Sequence, residues 1–108
     1  MLQDKIIEYL KLLIKQNGFI IVPISTDSML PMIKKGDKVK ICMLKKSPEI
    51  GEIIAYHKFG DHITVHRIYN KVQSGKRELY VTKGDNNIKN DPYFISIKNI
   101  IGVVVEIL

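Results

Sequence analysis

The chain has 108 residues, of which 45% are hydrophobic and 26% are charged, a composition typical of a soluble globular protein. Lys and Arg total 17 against 11 Asp and Glu, which gives a formal net charge of +6. The lysines are scattered along the chain, so we expect a solvated basic surface and no nucleic-acid partner. The single cysteine, Cys42, excludes an internal disulfide framework and a cysteine-rich zinc site, and we expect it to pack within a strand.

The first element predicted along the chain is a helix over residues 2–16. Leucine and isoleucine recur there at helical spacing, and Asn17-Gly18 is a stop signal because glycine tolerates the left-handed conformation. The other face is only weakly basic, so we expect at most peripheral membrane contact through this helix. No apolar run reaches the about 20 residues of a membrane span, and no secretory signal is recognisable, so the sequence predicts a cytoplasmic protein.

Six segments rich in isoleucine, valine and tyrosine follow, and each predicts a strand: 19–24, 37–44, 51–57, 63–72, 78–82 and 101–107. Turn-forming residues separate them, and the short connections between 51 and 82 predict antiparallel hairpins. The predicted fold class is therefore mainly β (α+β), in a single domain over residues 1–108. The N-terminal helix covers 1–17, and a twisted, mostly antiparallel β domain covers 19–107.

A serine follows the first predicted strand, in a turn that ends at a proline. Ser28 lies within the run Thr26-Asp27-Ser28-Met29-Leu30-Pro31. A nucleophilic serine requires such a rigid and exposed position, with free backbone N–H groups nearby to hold an oxyanion. Most serines in turns are only turn residues, so this segment by itself leaves both interpretations open.

A histidine and two aspartates in later segments could complete the chemistry of such a serine. His66 shares a strand face with Thr64 and Ile68, where a neutral imidazole can act as a base near pH 7. Asp85 and Asp91 lie in the turn-rich loop after the fifth predicted strand, and a triad needs a carboxylate to orient its histidine. A half-buried structural histidine and two turn-forming aspartates are the alternative interpretation.

Together, these three segments resemble the catalytic boxes of the signal peptidase and LexA-type (S24/S26) serine peptidase superfamily. Residues 26–31 with Gly36-Asp37 match the first box, in which Ser-Met-x-Pro precedes Gly-Asp and a strand. His66-Arg67 matches the general-base box of the histidine, endoplasmic-reticulum type, where other branches carry a lysine. Residues 82–87 followed by Asp91 are similar to the last box of that subgroup. The resemblance also implies a signal-peptidase/LexA-like β domain.

The resemblance implies a catalytic triad in which Ser28 is the nucleophile, His66 the general base and Asp91 the acid. It implies a supporting role for Asp85, which holds its loop or orients Ser28 and its surroundings, and we expect its carboxylate to accept backbone N–H groups. Asp85 also stays open as the alternative triad acid. Lys83, the lysine nearest to these boxes, is the alternative base.

The resemblance further implies an oxyanion site beside the nucleophile. The Ser28 N–H forms part of it, Thr26 contributes a hydroxyl, and Met29 belongs to the same supporting group. Asp27 stands where the family usually has glycine, and we expect its carboxylate to point outward. No cofactor is implied, and no metal site is expected because the histidines lack an accompanying cysteine or carboxylate pattern.

The function implied is that of a soluble serine endopeptidase, a small member of the superfamily without a membrane anchor. Its expected substrate is an extended segment of a precursor peptide, such as the leader or signal-like sequence of a ribosomally made peptide. Two alternatives stay open: an inactive peptide- or nucleic-acid-binding module on the same fold, and a LexA-type sensing domain. The first fits poorly with an intact Ser, His and Asp set, and the second needs a helix-turn-helix that one short helix cannot form. The oligomeric state is open.

Overall fold

A computed structural model describes residues 2–60 and 62–108, which form one α-helix, six β-strands and one short 3-10 helix. In chain order they are α1 (Leu2–Asn17), β1 (Ile20–Pro23), β2 (Lys38–Cys42), β3 (Ile53–Tyr56), β4 (Thr64–Ser74), β5 (Arg77–Lys83), the 3-10 helix (Ile97–Asn99) and β6 (Ile100–Ile107). The predicted N-terminal helix and the mainly β class are confirmed. β4 is longer than predicted because it pairs with β5 as far as Ser74 and Arg77, around the turn at Gly75.

The strands form one antiparallel sheet in the order β1-β2-β6-β3-β4-β5. β3, β4 and β5 are consecutive neighbours, which confirms the predicted antiparallel hairpins. β6 lies between β2 and β3, so a strand distant in sequence joins the two parts of the sheet. Gly102 permits this close pairing, because a Cβ there would collide with the carbonyl oxygen of Cys42 in β2. Cys42 is itself half-buried within β2.

Helix α1 packs on the sheet through Ile7 and Ile14, which are 7% and 1% exposed. Both belong to an apolar cluster that also contains Met29, Val39 and Ile41. Burial of such side chains stabilises the fold by roughly 1.5–3 kcal/mol each. No helix within residues 2–60 and 62–108 has the length and apolar character needed to cross a bilayer.

The two faces of β4 pack against different clusters. Val65 belongs to the cluster beneath α1, whereas Ile68 belongs to a second cluster with Tyr56 and Tyr80. This alternation confirms the faces predicted for the strand and places His66 on the side of Ile68. The strand that carries His66 is therefore fixed from both sides.

Candidate active site

Ser28 lies in the turn that follows β1, and its neighbour Met29 anchors this turn in the core. The Met29 side chain is 1% exposed, and its sulfur accepts a hydrogen bond of 3.3 Å from the Asp85 N–H. Within the turn, the Leu30 N–H donates to the Asp27 carbonyl at 3.2 Å. Ser28 itself stays partly exposed. The serine thus combines a fixed backbone with an accessible hydroxyl, as a nucleophile requires.

The structure brings Ser28, His66 and Asp91 into one hydrogen-bonded chain. Ser28 Oγ lies 3.1 Å from His66 Nε2, and His66 Nδ1 lies 2.7 Å from Asp91 Oδ2. Because a carboxylate oxygen accepts, Nδ1 carries the hydrogen, and Nε2 is left to accept the serine hydroxyl proton. An imidazole so oriented can act as a general base toward the hydroxyl.

Donors also gather around the serine oxygen. Thr26 Oγ1 lies 3.2 Å from Ser28 Oγ. Since the single serine hydroxyl proton goes to the imidazole, the threonine is the donor in this contact. The N–H groups of Ser28 and Met29 have no hydrogen-bond partner within the described part of the chain. The three predicted oxyanion residues therefore lie together at the edge of one cleft, beside two backbone N–H groups that no described residue accepts.

Two side chains with no predicted role, Thr82 and Tyr56, hold Asp91 in place. Thr82 Oγ1 donates to Asp91 Oδ2 at 2.6 Å, and the Tyr56 hydroxyl donates to the same oxygen at 3.1 Å. Both side chains are fully buried, and burial raises the pKa of the Tyr56 hydroxyl far above its usual value, so it stays a donor. In the sequence Tyr56 is an ordinary strand residue and Thr82 is only the first residue of the last box, and the pairing of three strands shows that they meet at the carboxylate.

Asp85 pairs with Arg67 of β4, whereas Asp91 takes the place beside His66. Nε and Nη2 of Arg67 donate to the two carboxylate oxygens of Asp85 at 2.9 and 2.7 Å. Hydrogen bonds from Arg67 hold the pKa of Asp85 below its usual range, and the same pair raises the pKa of Arg67. The expectation that the Asp85 carboxylate accepts backbone N–H groups is wrong. Its two oxygens instead accept a pair of hydrogen bonds from the Arg67 guanidinium, whose planar geometry matches the carboxylate. The Tyr69 hydroxyl also donates to Asp85 Oδ1, at 3.3 Å.

Gly84 lies where the loop after β5 passes closest to the serine. A Cβ at this position would lie 2.7 Å from the Ser28 carbonyl oxygen and 3.1 Å from His66 Nε2. Next to it, the Asn86 N–H donates to the Ser28 carbonyl at 2.8 Å, and the Asn86 side chain donates to the Asp27 carbonyl at 3.2 Å. Glycine is therefore required for the loop and the serine turn to make direct contact.

Two charged residues near the site are engaged elsewhere. The Asp27 carboxylate is exposed and accepts a hydrogen bond from the Lys35 N–H at 3.3 Å, as its expected outward direction requires. Lys83 Nζ donates to the carbonyls of Gly84 and Asn87 at 3.0 and 2.8 Å. The lysine thus braces the loop and makes no hydrogen bond to the serine hydroxyl in the described structure.

An open cleft of about 560 Å³ lies over the serine and the imidazole. Residues 22–26 form one wall of this cleft and residues 62–66 form another. β1 is the outermost strand of the sheet on its side. Residues 64–66 pair with β3 only, because β5 pairs with β4 from Arg67 onward. The cleft is therefore flanked by two strand segments that each keep one unpaired edge.

The histidines outside this chain of contacts do not converge on a metal-binding group. His57 Nε2 contacts the Gly60 carbonyl oxygen at 2.6 Å, and His62 is exposed at the cleft. Residues 2–60 and 62–108 contain no group of three or more His, Cys, Asp or Glu side chains that could hold a metal ion.

A serine, an imidazole and a carboxylate in one hydrogen-bonded chain beside an open cleft are typical of serine hydrolases. The Peptidase S24-like family matches residues 2–105, and the chain belongs to this family. The predicted membership of the S24/S26 serine peptidase superfamily is thereby confirmed.

Several fungal proteins are similar to this chain. It is 34% identical over 95 residues to the signal peptidase complex catalytic subunit sec11 of Sclerotinia sclerotiorum, which covers 79% of the chain and 55% of that protein. The corresponding subunit of Colletotrichum graminicola is 35% identical with the same coverage. That of Yarrowia lipolytica is 31% identical over 80 residues, or 73% of the chain and 46% of the relative. The chain thus spans about half the length of these curated relatives.

Proposed function

We propose that this chain is an active serine endopeptidase in which Ser28 is the nucleophile, His66 the general base and Asp91 the residue that orients the base. The observation that carries the proposal is the unbroken path of hydrogen bonds from Ser28 Oγ to Asp91 Oδ2, with contacts of 3.1 and 2.7 Å at the two imidazole nitrogens. Membership of a serine peptidase family supports the same reaction class.

This arrangement supports cleavage in two steps, acylation of the serine and hydrolysis of the acyl-serine. Ser28 Oγ attacks the carbonyl carbon of the scissile bond while its proton passes to His66 Nε2, and the carbonyl oxygen becomes an oxyanion. The Ser28 N–H stabilises that oxyanion, and the Thr26 hydroxyl turns its single hydrogen from Ser28 Oγ to the oxyanion. His66 then gives the proton to the leaving amine, the C–N bond breaks, and an acyl-serine remains. Water deprotonated by His66 hydrolyses this ester and restores the serine hydroxyl.

The cleft favours a substrate in extended conformation. An added strand can bond to the free edge of residues 64–66 and to the outer edge of β1, which provide main-chain donors and acceptors along the cleft. Such pairing fixes which peptide bond lies opposite the serine. A flexible segment of a precursor can adopt this conformation, whereas a peptide bond within a folded domain cannot.

The substrate class in our proposal is a leader or signal-like segment of a precursor peptide, with a small residue on the acyl side of the cut. The relatives are named catalytic subunits of the signal peptidase complex, and this supports a peptide or protein substrate. Several apolar side chains line the cleft beside the serine, among them Val22, Ile24 and Ile63. They suit the apolar side chains that such segments carry. The cytoplasmic location stays a prediction.

The test is cleavage of a library of extended, internally quenched peptides with alanine or glycine at the central position, followed by mass spectrometry of the products. We expect cleavage at one bond by the wild type, no cleavage by Ser28→Ala, and unchanged cleavage by Ser74→Ala at the exposed end of β4. Cleavage by folded Ser28→Ala at the wild-type rate would overturn the proposal. Saturable peptide binding by a wild type that cleaves nothing would assign the binding-module function instead.

A further inference from the structure

One oxygen of Asp91 accepts hydrogen bonds from three side chains. His66 Nδ1 lies 2.7 Å from Asp91 Oδ2, and the hydroxyls of Thr82 and Tyr56 lie 2.6 and 3.1 Å from the same atom. Thr82 and Tyr56 are both 0% exposed, so these bonds are shielded from bulk solvent. The position of the oxygen that faces the imidazole is therefore set by buried donors.

The hydrogens of this network can be assigned because each hydroxyl has only one. Thr82 and Tyr56 both donate to Asp91, so neither has a hydrogen left for the 3.1 Å contact between them. The Tyr56 oxygen can still accept, and the Tyr93 hydroxyl lies 2.9 Å away as its donor. The network thus runs from Tyr93 through Tyr56 to the carboxylate, and every hydroxyl hydrogen is used.

The network follows from the pairing of three neighbouring strands. Tyr56 of β3 is paired with Thr64 of β4, and Thr82 of β5 is paired with Ile68 of β4. His66 lies between these two positions on β4 and on the same face. The Tyr56 ring also packs edge-on against the His66 ring, with centroids 6.5 Å apart. Both hydroxyls are therefore held by the sheet itself, not by the loop that carries the carboxylate.

We propose that Thr82 and Tyr56 are positioning residues of the peptidase, which fix Asp91 Oδ2 opposite His66 Nδ1 and so keep the tautomer in which Nε2 accepts the serine proton. This inference rests on the proposed function. Neither residue lines the cleft, so their effect falls on turnover and leaves substrate binding unchanged. Thr82 has the larger effect because its hydrogen bond is the shorter of the two.

The kinetic test compares Thr82→Val and Tyr56→Phe, which remove only the hydroxyl donors, with Thr82→Ser, which keeps one. Hydrogen bonds to a charged group predict a loss of roughly 10- to 100-fold in kcat for Thr82→Val and a smaller loss for Tyr56→Phe, with KM unchanged. Thr82→Ser recovers most of the turnover. The matched control is Tyr80→Phe, because Tyr80 is equally buried but its hydroxyl donates to Glu78.

A second measurement needs no substrate. Nitrogen-15 NMR of the histidines reports which ring nitrogen carries the hydrogen, and we expect an Nδ1–H tautomer for His66 in the wild type and in Tyr80→Phe. Folded Thr82→Val should show mixed tautomers. Wild-type kcat and an unchanged tautomer in both Thr82→Val and Tyr56→Phe would overturn the inference. If the wild type cleaves no peptide, the proposed function fails, and the tautomers alone decide whether the two hydroxyls position His66.

Discussion

Replacing Gly84 by alanine tests whether the loop and the serine turn must be in direct contact. The added Cβ would lie 2.7 Å from the Ser28 carbonyl oxygen and 3.1 Å from His66 Nε2. The first neighbour is backbone and cannot rotate away, so a normal contact requires the two segments to separate by about 0.7 Å. Overpacking of this kind destabilises a protein by about 1–3 kcal/mol, which lowers the Tm by about 4–8 °C per kcal/mol in a domain of this size.

The same displacement moves Ser28 Oγ relative to the imidazole. A shift approaching 1 Å at reacting groups lowers turnover roughly 10- to 100-fold, so we expect Gly84→Ala to lose activity beyond what its unfolded fraction explains. The matched control is Gly102→Ala, whose Cβ would collide with the Cys42 carbonyl but lies outside the cleft. Thermal melts give the Tm of both variants, and kcat is measured well below those Tm values. Equal kcat per folded molecule in the two variants would refute this reasoning.

Three further outcomes are expected at the charged residues of the site. His66→Ala should lower kcat by roughly 10⁴- to 10⁶-fold without unfolding the protein, whereas Lys83→Met should keep its activity; the reverse result in a peptide assay would make the lysine the base. Asp91→Asn should lower kcat with little change in Tm, whereas Asp85→Asn should cost about 1–3 kcal/mol of stability because Arg67 loses its charged partner. Arg67 depresses the pKa of Asp85, so the native state binds fewer protons than the unfolded state. The ion pair therefore stabilises the native state above the unfolded pKa of about 3.9. This stabilisation is lost as the pH falls through the lower pKa of the native state. The Tm difference between wild type and Asp85→Asn should therefore shrink as the pH falls from roughly 5 to 2, and a constant difference would show that the ion pair is not its source.

Local patterns were sufficient to predict most of the fold. The helical spacing of leucine and isoleucine predicted α1, and period-two alternation placed His66 and Ile68 on one face of β4. Both signals arise within a few residues, where propensity and burial act together. Strand ends were less accurate, because the ladder continues only as far as the partner strand provides hydrogen bonds.

The polar network behind the site could not be predicted from local patterns. Thr82 and Tyr56 are 26 positions apart in sequence and meet only because β3, β4 and β5 pair in one register. Arg67 was noted as the neighbour of His66, but its pairing with Asp85 likewise depends on the pairing of β4 with β5. In the folded chain Tyr80 and Thr82 are the buried positions of β5 and lie on one face, but the continuous apolar run Leu79-Tyr80-Val81 in the sequence does not show this alternation.

The central place of β6 has a consequence for when the site can exist. Ser28 follows β1, which pairs with β2, while His66 lies on β4, which pairs with β3 and β5. β2 and β3 do not pair with each other, and each takes β6 as its second partner. Within the sheet, the strand before the serine and the strand that carries the histidine are therefore connected only through β6. Because β6 joins parts of the chain that are distant in sequence, we expect alignment of the nucleophile and the base to be a late, long-range folding event, completed when β6 pairs with both β2 and β3.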